Sequence, residues 1–141
     1  MTRTITFRFR NTIQILPEQD SQRSKVYKAE QEVFAGLPNT DFKTRRGMEG
    51  RVNRLLKSST VAKLRAEFGL GSKGRVTVSM RRANAKSTSH GGHITFSNSH
   101  KKHWVLLHEL AHEIAPWQVH HHWPFVYVYL KLVSRFLGAE T

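Results

Sequence analysis

Apolar side chains recur at every second position in three short stretches of the chain, over 5–9, 76–80 and 94–96. This period is typical of β-strands that are buried on one face. Residues 82–92, between the second and third stretches, are polar and contain glycine, and they are too few for a crossover helix. We therefore predict that these two strands form an antiparallel pair.

Elsewhere apolar residues recur at spacings of three and four, which predicts helices. The predicted helices cover about 26–34, 48–57, 60–68, 101–115 and 123–137. Ser59 is positioned to cap the third, Gly69 and Pro116 end the third and the fourth, and Pro124 lies in the first turn of the last. In the first helix the predicted apolar face consists of Val26, Ala29, Val33 and Phe34. Helices and short strands together predict a single α+β domain over residues 1–141, with residues 1–19 as a flexible or strand-like extension.

Positive charge is concentrated towards the amino terminus. The 141 residues carry a net charge of +13, and 21 of the 23 Lys and Arg residues lie at or before Lys102. Such a field attracts phosphate polymers and acidic surfaces, so nonspecific nucleic acid binding by this basic front part is expected at low salt. The residues that could line such a face are Arg45, Arg46, Arg51, Arg54, Lys73, Arg75, Arg81, Arg82 and Lys86.

The composition also excludes several classes of protein. Cysteine is absent, which rules out disulfides, thiolate metal sites and cysteine nucleophiles. No apolar run has the roughly 18–20 residues of a membrane span, and the amino terminus lacks the apolar segment of a signal peptide. We therefore expect a cytoplasmic protein that is not inserted in a membrane.

All nine histidines lie between His90 and His122, and two of them belong to an HExxH motif at 108–112. Two histidines four residues apart lie on one face of a helix, where both rings can reach a single ion. Glu109 lies beside them, and a carboxylate in this position can take a proton from a zinc-bound water. The motif predicts a Zn²⁺ site with His108 and His112 as ligands and Glu109 as the catalytic base.

A hydrolytic zinc site needs a third protein ligand. After Glu109 the only acidic residues are Glu113, which points away from the ligand face, and Glu140, at the end of the chain. The third ligand is therefore expected among the three consecutive histidines His120, His121 and His122, just past the turn at Pro116.

The residues His108 to His112, His121, Phe125 and the run from Tyr129 to Val133 resemble the HExxH…HGxxF arrangement of SprT-like zinc proteins. They are still more similar to a family of small HExxH metallohydrolases of actinobacteria and their phages. The segments 20–30 and 104–108 resemble that family's opening helix and the start of its metal helix. The resemblance extends over most of the chain, from about 20 to 138.

The resemblance implies a small zincin-like domain with a short antiparallel sheet, an HExxH metal helix and a C-terminal helix. It aligns Phe125 with the family's phenylalanine and thereby places the third ligand at His121. His122 stands where the family has glycine, so His120 and His122 remain alternatives. Zincin-like folds also place an edge strand above the cleft, which would assign substrate binding by strand addition to Ile94, Thr95 and Phe96. The alternative is an ordinary core strand, because Ile94 and Phe96 need burial in either case.

Two functions follow from these patterns. The first is a zinc-dependent metallohydrolase, specifically a metallopeptidase that acts on a peptide or protein substrate through Glu109. The alternative is a basic protein that binds nucleic acid or another partner and has a structural or inactive zinc site.

Overall fold

A computed structural model of the chain describes residues 3–20, 22–34, 42–81, 87–97, 102–116 and 119–137. Within these residues the chain forms five α-helices and two small β-sheets, which is an α+β architecture. In chain order the elements are β1 (Thr4–Phe9), β2 (Thr12–Pro17), α1 (Arg23–Phe34), α2 (Arg45–Leu56), α3 (Ser59–Glu67), β3 (Thr77–Arg81), β4 (Thr88–His90), β5 (His93–Ser97), α4 (His103–Ile114) and α5 (Trp123–Leu132). A π-helical turn over Val133–Leu137 continues α5. In the described part of the chain, no helix has the length and apolar character needed to cross a membrane.

The amino-terminal extension is a β-hairpin in which β1 pairs antiparallel with β2. Arg10 and Asn11 form its two-residue turn and both have positive φ, at +49° and +65°, as a type I′ turn requires. Arginine is unusual in this conformation, which explains why the sequence did not predict β2. Ile5 and Phe7 on the inner face of β1 are buried, and Phe7 lies in the main core.

The second sheet has the strand order β3-β5-β4. The prediction that β3 and β5 form an antiparallel pair is wrong. These two strands run parallel, and the antiparallel partner of β5 is β4. Residues 82–92 are indeed too short for a crossover helix, but they contain β4, which was predicted as loop. Gly91 and Gly92, with φ of +53° and +86°, form the two-residue turn that reverses the chain from β4 into β5.

Side chains of α2 cover the outer edge of β3. The amide of Asn53 exchanges two hydrogen bonds with the backbone of Val76, just before the strand. Glu49 accepts a hydrogen bond from the Val78 N–H, and Arg45 donates one to the Val78 carbonyl. These contacts satisfy backbone groups that an open sheet edge would leave unpaired.

The helices differ from the sequence predictions in detail. The N-cap of α3 is Ser58 rather than Ser59, and its hydroxyl accepts a hydrogen bond from the Val61 N–H. In α1 the predicted apolar face is only partly right: Phe34 is buried and Val26 packs against the core, but Ala29 and Val33 are exposed and Glu30 is buried. The helix is therefore rotated so that a carboxylate, instead of an aliphatic side chain, points towards α4.

Candidate metal centre

Helix α4 and the turn that follows it bring three histidine rings together. His108 and His112 lie one turn apart on α4, and His121 lies in the turn before α5. The ring centroids are 5.2 Å apart for His108 and His112, 5.3 Å for His108 and His121, and 4.8 Å for His112 and His121. One ring nitrogen from each residue lies within 4.8 Å of the other two. The three histidines are positioned to hold a metal ion.

The distance between two of these nitrogens fits a shared ion. The Nε2 atoms of His108 and His121 are 3.4 Å apart. Two nitrogens bound tetrahedrally to zinc, each at about 2.0–2.1 Å, are about 3.3 Å apart. Imidazole ligands suit zinc, copper, iron and nickel, so the donor set fits a transition metal without determining which one.

The environment favours the neutral form, which binds metals, for His112 and His121. Burial lowers the pKa of His112 well below its usual value, and the neighbouring His108 and His121 lower it further. Burial also lowers the pKa of His121, although the hydrogen bond with Asp20 opposes this shift. The lone pairs that an ion needs are therefore available at neutral pH.

Two carboxylates orient two of the three histidines through contacts with their Nδ1 atoms. Glu30 of α1 contacts Nδ1 of His108 through Oε2 at 2.5 Å, and the Tyr129 hydroxyl donates to the same oxygen at 2.7 Å. Asp20 contacts Nδ1 of His121 at 2.9 Å and accepts the His121 backbone N–H at 3.2 Å. A carboxylate on Nδ1 fixes the tautomer in which Nε2 carries the lone pair, and it raises the basicity of the ring.

Burial is the largest single influence and would raise the pKa of Asp20, but the two hydrogen bonds from His121 and the nearby charges of His121 and His120 together lower the pKa below its usual value. Asp20 is therefore ionised at neutral pH and can accept both hydrogen bonds. The sequence predicts no role for Asp20 or Glu30, which lie at the two ends of the segment 20–30 that resembles the family's opening helix. The available signal was Glu30 itself, which follows Val26 and precedes Phe34 at four-residue spacing on the buried face of α1.

Phe125 supports the three histidine rings. Its ring stacks on His112 with centroids 4.3 Å apart, and it lies 4.9 Å from both His108 and His121. Phe125 is fully buried near the start of α5. This contact gives a physical reason for the spacing of four residues between His121 and Phe125.

The other two candidates for the third ligand lie elsewhere. His120 has positive φ (+48°), is exposed and lines the rim of the cleft. His122 is buried, and its Nε2 has no hydrogen-bond partner among the described residues. Of the three consecutive histidines, His121 is the one whose ring lies with His108 and His112.

The histidines open into a cleft of about 430 Å³, which we call the metal cleft. Glu109, on α4 beside His108, is only 6% exposed and lines this cleft. The remaining lining comes from α1 and the residues before it, from β4 and its approach, and from the turn after α4: Asp20, Arg23, Tyr27, Ser87, Thr88, Ser89, Pro116, Val119 and His120. A volume of this size is typical of small-molecule and peptide sites.

The strand beside the cleft is β4, not β5. The expectation that Ile94, Thr95 and Phe96 form an edge strand is wrong, because β5 is the central strand and pairs on both sides. Ile94 and Phe96 are also fully buried in the core. The outer strand β4 pairs only with β5 in the described sheet, and Thr88 and Ser89 line the metal cleft.

Glu113, one residue beyond His112, holds β4 and the turn that follows it against α4. It accepts hydrogen bonds from the Ser89 hydroxyl and the Gly92 N–H, and it pairs with Lys73 at 2.9 Å. Glu113 thus points away from the ligand histidines, as predicted, and its buried carboxylate holds the β4–β5 turn against α4.

The basic residues are only partly available for a phosphate-binding face. Arg46 and Arg54 lie exposed on α2, together with Lys57. Arg82 and Lys86 lie outside the described residues. Three other basic residues of the predicted face are held in ion pairs with Glu49 or Glu113: Arg45, Lys73 and Arg75.

Comparisons with known proteins identify no relative. No family model, curated protein or solved structure matches the chain.

Proposed function

We propose that this protein is a zinc-dependent metallohydrolase, and specifically a metallopeptidase. The observation that carries the proposal is the convergence of His108, His112 and His121 in a cleft that Glu109 also lines. A structural metal site needs no carboxylate with access to a cleft, whereas a hydrolytic site needs a base there.

Each residue of the site then has a definite task. When bound, zinc acts as a Lewis acid that polarises a carbonyl and makes water a stronger acid. Glu109 accepts the proton of the attacking water and passes it to the leaving amine. Asp20 and Glu30 keep the rings of His121 and His108 in the orientation and tautomer that the ligands require.

The neighbouring strand favours a peptide as the substrate. The outer edge of β4 lies beside the metal cleft, and an extended chain can add to such an edge through backbone hydrogen bonds. The opposite edge of the sheet is closed to this mode because Glu49 and Asn53 cover β3. An extended polypeptide segment is therefore the substrate that the open edge accommodates best.

The test combines metal content with hydrolysis. We expect about one zinc per purified chain, lost in His108→Ala, His112→Ala and His121→Ala and retained in His120→Ala and His122→Ala. Glu109→Gln should keep the zinc and lose the hydrolysis of a casein or peptide mixture, while Glu32→Gln, an exposed change on α1, should retain both. Hydrolysis that persists in zinc-loaded Glu109→Gln would contradict the mechanism.

Nucleic acid binding is a second candidate, supported by the row of exposed cations on α2. Arg46 and Arg54 are exposed on α2 and Lys57 is exposed at its C-cap, and no ion pair with them is found among the described residues. If this row binds phosphates, affinity for duplex DNA should fall steeply with salt and should not change in Glu109→Gln. Substitution of all three by glutamine should reduce the salt dependence.

A further inference from the structure

A second cavity continues the metal cleft past Glu109. It has a volume of about 230 Å³, and we call it the side pocket. Tyr27, Ser87, His108 and Glu109 line both cavities, so the two are adjacent across the catalytic carboxylate. The side pocket ends at Trp104 and Val105 in the first turn of α4, and its surface is mostly apolar.

Helix α1 forms one wall of both cavities. Arg23 lines the metal cleft, Tyr27 lines both cavities, and Gln31 lines the side pocket. These residues are four apart, so they lie on one face of the helix at intervals of about 6 Å. An extended peptide advances about 3.3 Å per residue. Each interval therefore corresponds to about two residues of a substrate that follows this wall.

The two ends of the wall differ in charge. Among the described residues that line either cavity, Arg23 is the only lysine or arginine. It is exposed, and its guanidinium lies 5.9 Å from the centre of the Tyr27 ring. At the other end, Trp104 stacks on Phe34 at 5.2 Å and so provides a fixed aromatic surface. One end suits a carboxylate and the other an apolar side chain.

The position of Glu109 determines which part of a peptide enters which end. The base that takes the proton of water must afterwards give it to the leaving amine, so the leaving group lies on the side of Glu109. Of the three ligand histidines only His108 lines the side pocket, whereas all three line the metal cleft. The residue after the scissile bond thus occupies the side pocket, and the residues before it extend towards Arg23.

We propose that the substrate is an extended peptide with an acidic residue one or two positions before the scissile bond and an apolar residue directly after it. This inference rests on the proposed function, because it uses the leaving-group role of Glu109. Arg23 binds the acidic side chain, and the side pocket with Trp104 and Val105 binds the apolar one. Helix α1 sets the distance between the two.

Binding to zinc-loaded Glu109→Gln tests the proposal without relying on turnover. Three blocked hexapeptides are compared by isothermal titration: one with two glutamates followed by alanine and leucine, one with lysines for the glutamates, and one with aspartate for the leucine. The first should bind about tenfold more tightly than either of the others. In the double variant Arg23→Glu/Glu109→Gln, the lysine peptide should become the preferred one of the first two.

The matched control is the double variant Arg46→Glu/Glu109→Gln, which changes the net charge equally on the exposed side of α2. It should leave the order of the three peptides unchanged. The proposal would be overturned if all three peptides bound equally or if none bound measurably. It would also be overturned if the Arg46 control reversed the preference between the glutamate and lysine peptides to the same extent as the Arg23 variant. If the preference is found but wild-type protein cleaves none of the peptides, the specificity stands and the proposed hydrolase activity fails.

Discussion

The two parts of the chain contribute differently to the metal centre. The three candidate ligands come from a span of 14 residues, His108 to His121, in the less basic part of the chain after Lys102, which we call the back part. The carboxylates that orient two of them, Asp20 and Glu30, come from the basic front part, more than 75 residues earlier. A local motif therefore supplies the ligands, and long-range packing supplies their orientation.

This division follows from the chemistry of each task. Two ligands on one helical turn need only a sequence spacing, because the helix fixes their separation. An orienting carboxylate needs only to reach Nδ1, which many positions in a fold can provide. The comparison predicts that changes in the front part weaken metal binding although they leave every ligand in place.

Among changes in the front part, the largest loss of zinc affinity is expected from a substitution of Glu30. In Glu30→Gln the amide is a weaker acceptor for the His108 Nδ1–H and the Tyr129 hydroxyl, both in a buried site. Zinc affinity should fall by about 10–100-fold, measured by competition with a chromophoric chelator. Glu32→Gln, an exposed substitution on the same helix, should bind zinc as wild type does. If the two variants bind equally, Glu30 has no orienting role.

A smaller effect is expected at Asp20. Its side chain is 22% exposed, against 6% for Glu30, so water can replace part of what Asp20→Asn removes. Zinc affinity should fall by about tenfold, the lower end of the same range. If Asp20→Asn lowers zinc affinity more than Glu30→Gln does in the same competition assay, burial does not determine how much each carboxylate contributes to zinc affinity.

The features that the sequence predicted correctly are those governed by local periodicity. All five helices and β1, β3 and β5 lie close to their predicted positions, because apolar spacings of two or of three and four distinguish strands from helices within a short stretch of chain. The sequence also restricted the third ligand to three consecutive histidines. His121 was chosen among them only through a resemblance, since the turn geometry that exposes His120 and buries His122 has no local pattern.

The features that the sequence did not predict depend on contacts between distant residues. Strand β4 has three residues and no apolar alternation, and it forms because Glu113 and β5 hold it. Because β4 was not predicted, the sequence also did not predict that β3 and β5 run parallel. The role of Glu30 could not be read from the front part alone, because its partners are His108 and Tyr129.

The smallest effect concerns a second junction between the two parts, where Glu67 joins the hairpin to α5. Arg10 at the hairpin turn pairs with Glu67 at 2.8 Å, and the Tyr127 hydroxyl donates to both of its oxygens at 2.8 and 2.9 Å. Burial by itself would raise the pKa of Glu67, but the hydrogen bonds from Tyr127 and Arg10 outweigh it and lower the pKa. The ionised carboxylate therefore favours the folded state.

Because the folded pKa lies below the unfolded value of about 4.3, this stabilisation is complete above that value and is lost as the pH falls through the folded pKa. Glu67→Gln should lower the free energy of unfolding by about 1 kcal/mol or less at pH 7, since Arg10 is largely exposed. Urea unfolding of zinc-free protein, with chelator present, should show this difference at pH 7 and a smaller one at pH 3. Glu32→Gln should show no difference at pH 7, and a Glu67→Gln deficit of constant size at both pH values would place its cause in packing rather than charge.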